Sequence, residues 1–200
     1  MRRFVLGWKS LGYEDRLCAK LVNYADDFVI CCRGTAEEAM SVVRRLMGTL
    51  KLTVNETKTR IAKLPEDSFD FLGYSFSLRH SRKTGGAYLG VAPSKKKLKA
   101  FIADLSDRTR RSTLCEEVGQ LVTSLNTKLI GWSSYFRLGD VDPAYRAVTG
   151  HSRSRLRQWL CQKHKIPGWG TSQFPNEHLH GVLGLVDLKV RRTGLSRASW

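Results

Sequence analysis

Leu21-Val22-Asn23-Tyr24-Ala25-Asp26-Asp27-Phe28-Val29-Ile30-Cys31-Cys32-Arg33 is the stretch whose reading decides the fold. Two β-prone runs flank Ala25-Asp26-Asp27, the pattern of a hairpin with an acidic pair at its bend. Adjacent carboxylates between apolar runs repel each other and resist desolvation unless a cation neutralises them. Mg²⁺ suits such oxygen-only donors, since it takes one or two carboxylates and completes its shell with water and phosphates. An isolated Asp-Asp between strands is more often a solvated turn, and the pair alone leaves both readings open.

Working outward, Gly34 ends the second run and Thr35 with Glu38 forms a capping box. Met40, Val43, Leu46, Met47 and Leu50 then recur at helical spacing, which predicts an amphipathic helix lying on the hairpin. Residues 50–54 read as a short strand and 55–58 as a turn. Further strands are expected over 69–74 and 87–91, around Gly85-Gly86. Residues 1–92 therefore read as an α+β layer. From residue 93 the pattern turns helical. Ser94 caps one helix, Thr113 and Glu116 box a second, Asp142-Pro143 opens a third, and a fourth carries Leu156, Trp159 and Leu160. Residues 93–165 are thus expected to form an all-α bundle. Residues 166–200, rich in Gly and Pro, show no clear period. The expected class is α+β.

Charge adds a second constraint. The 200 residues hold 34 Lys and Arg against 18 Asp and Glu, a formal net charge of +16 with a pI near 10.0. The excess is uneven: 15 basic against 10 acidic residues in 1–90, then 19 against 8 in 91–200. A self-repelling excess of this size points to a polyanionic partner, nucleic acid first. With 42% hydrophobic residues the chain excludes disorder as its main character. No apolar run approaches the ~20 residues of a membrane span and no signal peptide is evident. Five cysteines, odd in number and without C-x-x-C spacing, indicate free thiols. The expected setting is soluble and intracellular, cytoplasmic or in an organellar matrix, and not secreted.

Tyr24-Ala25-Asp26-Asp27 within its apolar frame resembles the Y-A-D-D palm hairpin of reverse transcriptases, in the form found in group II intron-encoded proteins. Residues 50–59 resemble the family's next palm motif. Phe69-Asp70-Phe71-Leu72-Gly73-Tyr74 resembles the hairpin that grips the primer strand. Pro93-Ser94-Lys95-Lys96-Lys97-Leu98-Lys99 and residues 125–136 resemble the thumb, or maturase-specific domain. The resemblance implies a partial palm over 1–92 followed by a thumb/maturase bundle over 93–165.

It also implies roles. Asp26 would hold catalytic Mg²⁺ with Asp27 assisting, Tyr24 and Ala25 would shape the palm hairpin, and Phe71, Leu72, Gly73 and Tyr74 would form the primer grip. The implied partners are group II intron RNA and a primer-template duplex. The family's third carboxylate and its fingers lie well upstream of Y-A-D-D, and only 25 residues precede Asp26. The chain is therefore expected to be the C-terminal portion of a reverse transcriptase/maturase, inactive as a polymerase by itself. The alternative is a non-enzymatic module that stabilises folded intron RNA.

The RNA-binding candidates are Lys95, Lys96, Lys97, Lys99, Arg110 and Arg111. Lysines in the first turn of a helix oppose its dipole by ~0.3–1 kcal/mol each, so something outside the helix should favour them. An RNA backbone would do so, whereas a solvated lysine face is the plainer reading. Arg153, Arg155 and Arg157 splay widely, and Lys163, His164 and Lys165 suit a helix C-terminus. The aromatics of 131–136 read more readily as core than as a stacking platform, and His178 and His180 lack the companions of a tetrahedral metal set.

Overall fold

The computed structural model describes residues 1–81 and 84–195. The chain forms two compact units, 1–72 and 73–200. Antiparallel strands, a covering helix and a helical bundle make it α+β, as expected.

In the first unit, α1 (Arg2–Ser10) and α2 (Tyr13–Arg16) precede the hairpin of β1 (Ala19–Tyr24) and β2 (Asp27–Cys32), with α3 (Ala36–Thr49) and a short β3 (Ser68–Phe71) after it. Leu21 pairs with Ile30 and Tyr24 with Asp27, so Ala25 and Asp26 make the turn. Helix α3 buries Ala39, Val43 and Met47 against Phe4, Trp8 and Leu21. This is the amphipathic helix the spacing predicts.

Its two ends differ from the sequence reading. Thr35 stands at the N-cap, but its hydroxyl donates to the Leu17 carbonyl at 2.7 Å instead of closing a box with Glu38. The hydroxyl thereby anchors the helix start to the segment before the hairpin. At the other end, the expected strand over 50–54 does not form. The Lys51 amide bonds the Gly48 carbonyl and the Leu52 amide the Met47 carbonyl, with Lys51 at φ +55°. That Schellman closure satisfies the last carbonyls and turns the chain away from sheet geometry.

In the second unit, β4 (Tyr74–His80) and β5 (Ala87–Pro93) pair antiparallel, with Arg79 opposite Tyr88. Both side chains reach the Asp140 carboxylate, at 3.1 and 3.0 Å. Two glycines permit this. A Cβ at Gly90 would lie 2.3 Å from Arg79 Cδ, and one at Gly139, where φ is +75°, would lie 2.2 Å from the Val91 carbonyl oxygen. The hairpin is therefore fastened to the segment after α5, so the compact units divide at Leu72/Gly73, upstream of the change in charge near residue 92.

Helices α4 (Lys95–Arg108), α5 (Val118–Tyr135) and α6 (Asp142–Lys163) form the bundle. Ser94 caps α4 as expected, its hydroxyl accepting from the Lys97 amide at 3.3 Å. The expected Thr113–Glu116 box does not cap α5. Thr113 lies in a single 3₁₀ turn, accepts from Trp159 Nε1 at 3.0 Å and donates to the Arg110 carbonyl. Glu116 is taken by Arg108. The third and fourth expected helices are one: α6 runs 22 residues without a break, burying Tyr145, Val148, Leu156 and Trp159.

The tail joins this core. Leu179, in a π-helical turn over His178–Val182, and Leu185 and Leu188, leading into α7 (Leu188–Leu195), are almost fully buried. Each such burial is worth about 1.5–3 kcal/mol. Residues 196–200 of the expected extension lie outside the described residues.

Candidate nucleic-acid interface

The acidic pair comes first. Asp26 and Asp27 are both exposed, one in the turn and one opening β2. Asn23 Nδ2 supports the bend, donating to the carbonyls of Ala25 at 3.0 Å and Asp27 at 3.2 Å. Ala25 adopts φ +51°, a left-handed conformation that costs a residue with a Cβ about 1–2 kcal/mol. Tyr24 is 64% exposed. Among the described residues no three His, Cys, Asp or Glu side chains gather to hold a metal. The donor set at this tip is two adjacent carboxylates, too few for a two-metal centre.

The residues expected to grip a primer divide between the units. Phe71 ends β3 and Leu72 turns with φ +51° in the first, while Gly73 and Tyr74 belong to the second. Tyr74 is buried, its hydroxyl donating to the Tyr135 carbonyl at 2.6 Å and its ring edge-on to Phe136 at 5.1 Å. Tyr88 is held by Asp140, a hydrogen bond that pushes its phenol above the ordinary value. Trp132 stacks on Phe101 at 5.0 Å with planes 7° apart, and Phe136 is buried. The aromatic run over 131–136 is therefore core, with the Tyr135 ring left exposed.

The basic residues of the second unit sort into two groups. One group builds the bundle. Arg108 makes a bidentate pair with Glu116 at 3.0 and 2.6 Å, which holds that carboxyl below its ordinary range. Lys128 pairs with Asp104 at 2.7 Å. Arg155 ties α6 to the end of α4 through the Thr109 carbonyl at 2.8 Å, the Thr109 hydroxyl at 2.9 Å and the Ser106 carbonyl at 3.2 Å. Arg157 reaches the Phe174 carbonyl and Asn176, and Lys163 the carbonyls of Leu114 and Glu116. These cations are occupied with protein oxygens.

The other group faces solvent. Lys95, Lys96, Lys97 and Lys99 are exposed on the first turns of α4, where no acidic side chain offsets them. None of the four forms an ion pair among the described residues. Past the far end of that helix, Arg110 makes only an exposed pair with Asp107 at 2.7 Å, worth ~0–1 kcal/mol and easily exchanged for a phosphate. Arg111 is exposed beside it. At 1.5 Å per residue, α4 separates the lysines from Arg110 and Arg111 by about 20 Å. They are two separate basic positions along α4 and not a single patch.

Arg111 also opens onto a cavity of about 350 Å³ that it shares with Lys165, at the C-terminus of α6. Sequence reasoning credited Lys165 only with complementing the helix dipole and passed over Trp169, which is 76% exposed between two glycines. Gly168-Trp169-Gly170 was the available signal.

Residues 98–173 match the family model of the group II intron, maturase-specific domain. No curated protein matches the chain. The matched segment falls inside the second unit and runs from the second turn of α4 past α6. It includes Lys99, Arg110 and Arg111, begins immediately after Lys95, Lys96 and Lys97, and leaves the Asp26-Asp27 hairpin outside. The matched segment shares its core with residues beyond it, since Leu179, Leu185 and Leu188 belong to the same cluster. Among the described residues no helix is long and apolar enough to cross a membrane.

Proposed function

We propose that this chain acts on group II intron RNA as a maturase, the second unit gripping the RNA backbone along α4. The observation that carries the reading is the match of residues 98–173 to the maturase-specific family model, beside and partly including solvent-facing cations, none of which the described residues hold by more than an exposed ion pair. Lysines at a helix N-terminus oppose the dipole, and a phosphate chain placed there would neutralise them and release its counterions. Positioning by phosphate contacts fixes register without reading sequence. Selectivity for the intron then comes from the folded shape of the RNA. A protein that holds such a shape stabilises it by mass action, the physical content of assisted splicing.

The first unit adds the resemblance to a reverse-transcriptase palm. On that reading Asp26 and Asp27 would share a weakly held Mg²⁺, the ion that in such enzymes activates the primer 3′-hydroxyl. The two carboxylates supply one side of a two-metal site, and no polymerisation step is assigned to them. Primer-template binding and a cytoplasmic or organellar location belong to the same proposal.

Filter binding of the full chain to a group II intron RNA, in competition with an unrelated structured RNA of equal length, tests the central statement. Preferential retention of the intron at near-physiological salt is expected. Equal affinity for both RNAs would refute the maturase reading and leave a general polyanion binder.

A further inference from the structure

The cavity between the 3₁₀ turn and the end of α6 lies away from the lysine cluster, and its chemistry is different. Arg111 and Lys165 stand at it, Leu114 and Ile166 give it apolar walls, and Gln158 and Gln162 contribute amides. Its volume of about 350 Å³ lies within the ~300–1,000 Å³ usual for small-ligand sites. Gln158 has a fixed sense: its Oε1 accepts from Arg155 at 3.1 Å, which leaves the Nε2 protons to donate. Gly168, on the cavity wall, leads directly to Trp169, the most exposed large hydrophobic residue described. Gly170 follows at φ +64°, packed so closely on Cys161 that a Cβ would lie 2.2 Å from its sulfur. The backbone beneath the indole is thus seated on the fold while the ring stands in solvent.

Trp169 follows in the chain directly after a wall residue of a cavity that holds two cations and amide donors, and an exposed flat aromatic with such groups is the equipment that holds an unstacked base and its phosphate. From this juxtaposition we propose that the cavity receives one unpaired nucleotide of RNA. Arg111 and Lys165 hold its phosphate, the base enters between Leu114 and Ile166 within reach of the Gln158 amide, and Trp169 stacks the neighbouring base. The negative end of the α6 dipole opposes a phosphate here, which two cations at the mouth offset. The proposal rests on the RNA-binding reading and deepens it: α4 would grip paired backbone by charge, and this cavity would select a bulge, loop or single strand.

The test uses the full chain and two probes, a single-stranded RNA of about 12 nucleotides and a blunt RNA duplex of about 16 base pairs. Trp169→Ala should weaken single-strand binding by roughly 5- to 150-fold, the range of one lost base stack, and leave duplex affinity unchanged. Trp169→Phe should retain most of the single-strand affinity. Arg111→Gln with Lys165→Gln should weaken the single strand more than the duplex. Because the indole is so exposed, Trp169→Ala should keep the melting temperature, a readout independent of RNA. Unchanged single-strand affinity in Trp169→Ala, or equal losses on both probes, overturns the nucleotide site. Should the duplex bind and lose affinity on neutralising Lys95, Lys96 and Lys97 while Trp169→Ala has no effect, only the cavity proposal fails. A chain that binds neither probe overturns both readings.

Discussion

Changing Lys95, Lys96 and Lys97 together to Gln should separate RNA affinity from stability. The helix does not depend on these charges. Its N-cap bond runs from the Lys97 backbone amide to the Ser94 hydroxyl and survives the change. Gln and Lys have nearly equal helix propensity, and removing three cations from the positive end of the dipole relieves ~0.3–1 kcal/mol each. Lys97 also has a packing role, since its Cγ would lie 3.3 Å from a Cβ at Gly73, and Gln keeps that carbon. The melting temperature should therefore hold or rise by a few degrees. RNA affinity should fall instead. If each lysine contacts one phosphate, the log–log salt slope shrinks by about 0.7–0.9 per residue, hence by about two to three units in all. Between ~1 M and ~0.15 M salt that slope amounts to about 0.6–0.7 decade per contact, so the triple variant should bind roughly 100-fold more weakly near physiological salt. Filter binding across a salt series reads both numbers. Lys9, Lys51 and Lys58, exposed in the first unit, provide an equal loss of charge when changed to Gln. If that control weakens binding as much, net charge explains the affinity and the α4 face does not.

Arg155→Met should behave oppositely, lowering stability by about 2–4 kcal/mol because it removes the guanidinium donors from the Thr109 carbonyl and hydroxyl and leaves the Ser106 carbonyl only its bonds from Thr109. A fall of about 10 °C in a thermal melt, with the affinity of the folded fraction intact, is the expected result, and a selective loss of RNA binding would reassign Arg155 to the interface. His151 is held below its ordinary value by burial first and by the Arg155 charge second, against the raising effect of a hydrogen bond to the Ile102 carbonyl, with its Nε2 2.8 Å from the Ser106 hydroxyl. The folded form therefore binds its proton less readily than the unfolded chain, and the stability it contributes is full above about pH 6.5 and declines as pH falls towards the lowered folded value. An NMR titration should place the imidazole midpoint below 6.5, and His151→Gln should flatten the fall in melting temperature over that window; a midpoint above it contradicts the assignment. Asp27→Asn should leave the melting temperature unchanged or raised, because Asn23 bonds the backbone carbonyl of residue 27 and not its carboxylate, so a large drop would show the carboxylate to be structurally satisfied. Primer extension on an RNA template with Mg²⁺ and dNTPs should give no product, since two adjacent carboxylates form one side of a two-metal site; template-dependent cDNA abolished by Asp26→Ala would overturn that.

What the sequence made legible follows from the range of the forces involved. The hairpin at Asp26-Asp27 and the amphipathic α3 were readable because strand alternation, turn and helix period are set by neighbours in the chain. Ser94 was readable for the same reason, its partner lying three residues on. The strand expected over 50–54 is lost to the local Schellman closure at Lys51, whereas the misread caps involve a side chain whose best partner is distant in sequence. Thr35 looks like half of a capping box until Leu17 arrives from before the hairpin. Thr113 and Glu116 look like another until Trp159 and Arg108 take them. Arg155 and Arg157 read in the sequence only as widely splayed cations and Lys163 as a helix-end charge, and their partners prove to be carbonyls on other elements. That sorting gives the candidate interface its physical content. In a chain of +16 a basic residue is no evidence of RNA contact by itself, and the fold removes from consideration the cations already bonded to buried oxygens. Among those left over are the cations at the start of α4, past its far end and at the cavity whose wall includes Gly168. A small anion could occupy any one of these positions. Only a chain of phosphates reaches across the ~20 Å of α4, and only one with an unpaired base has use for the indole.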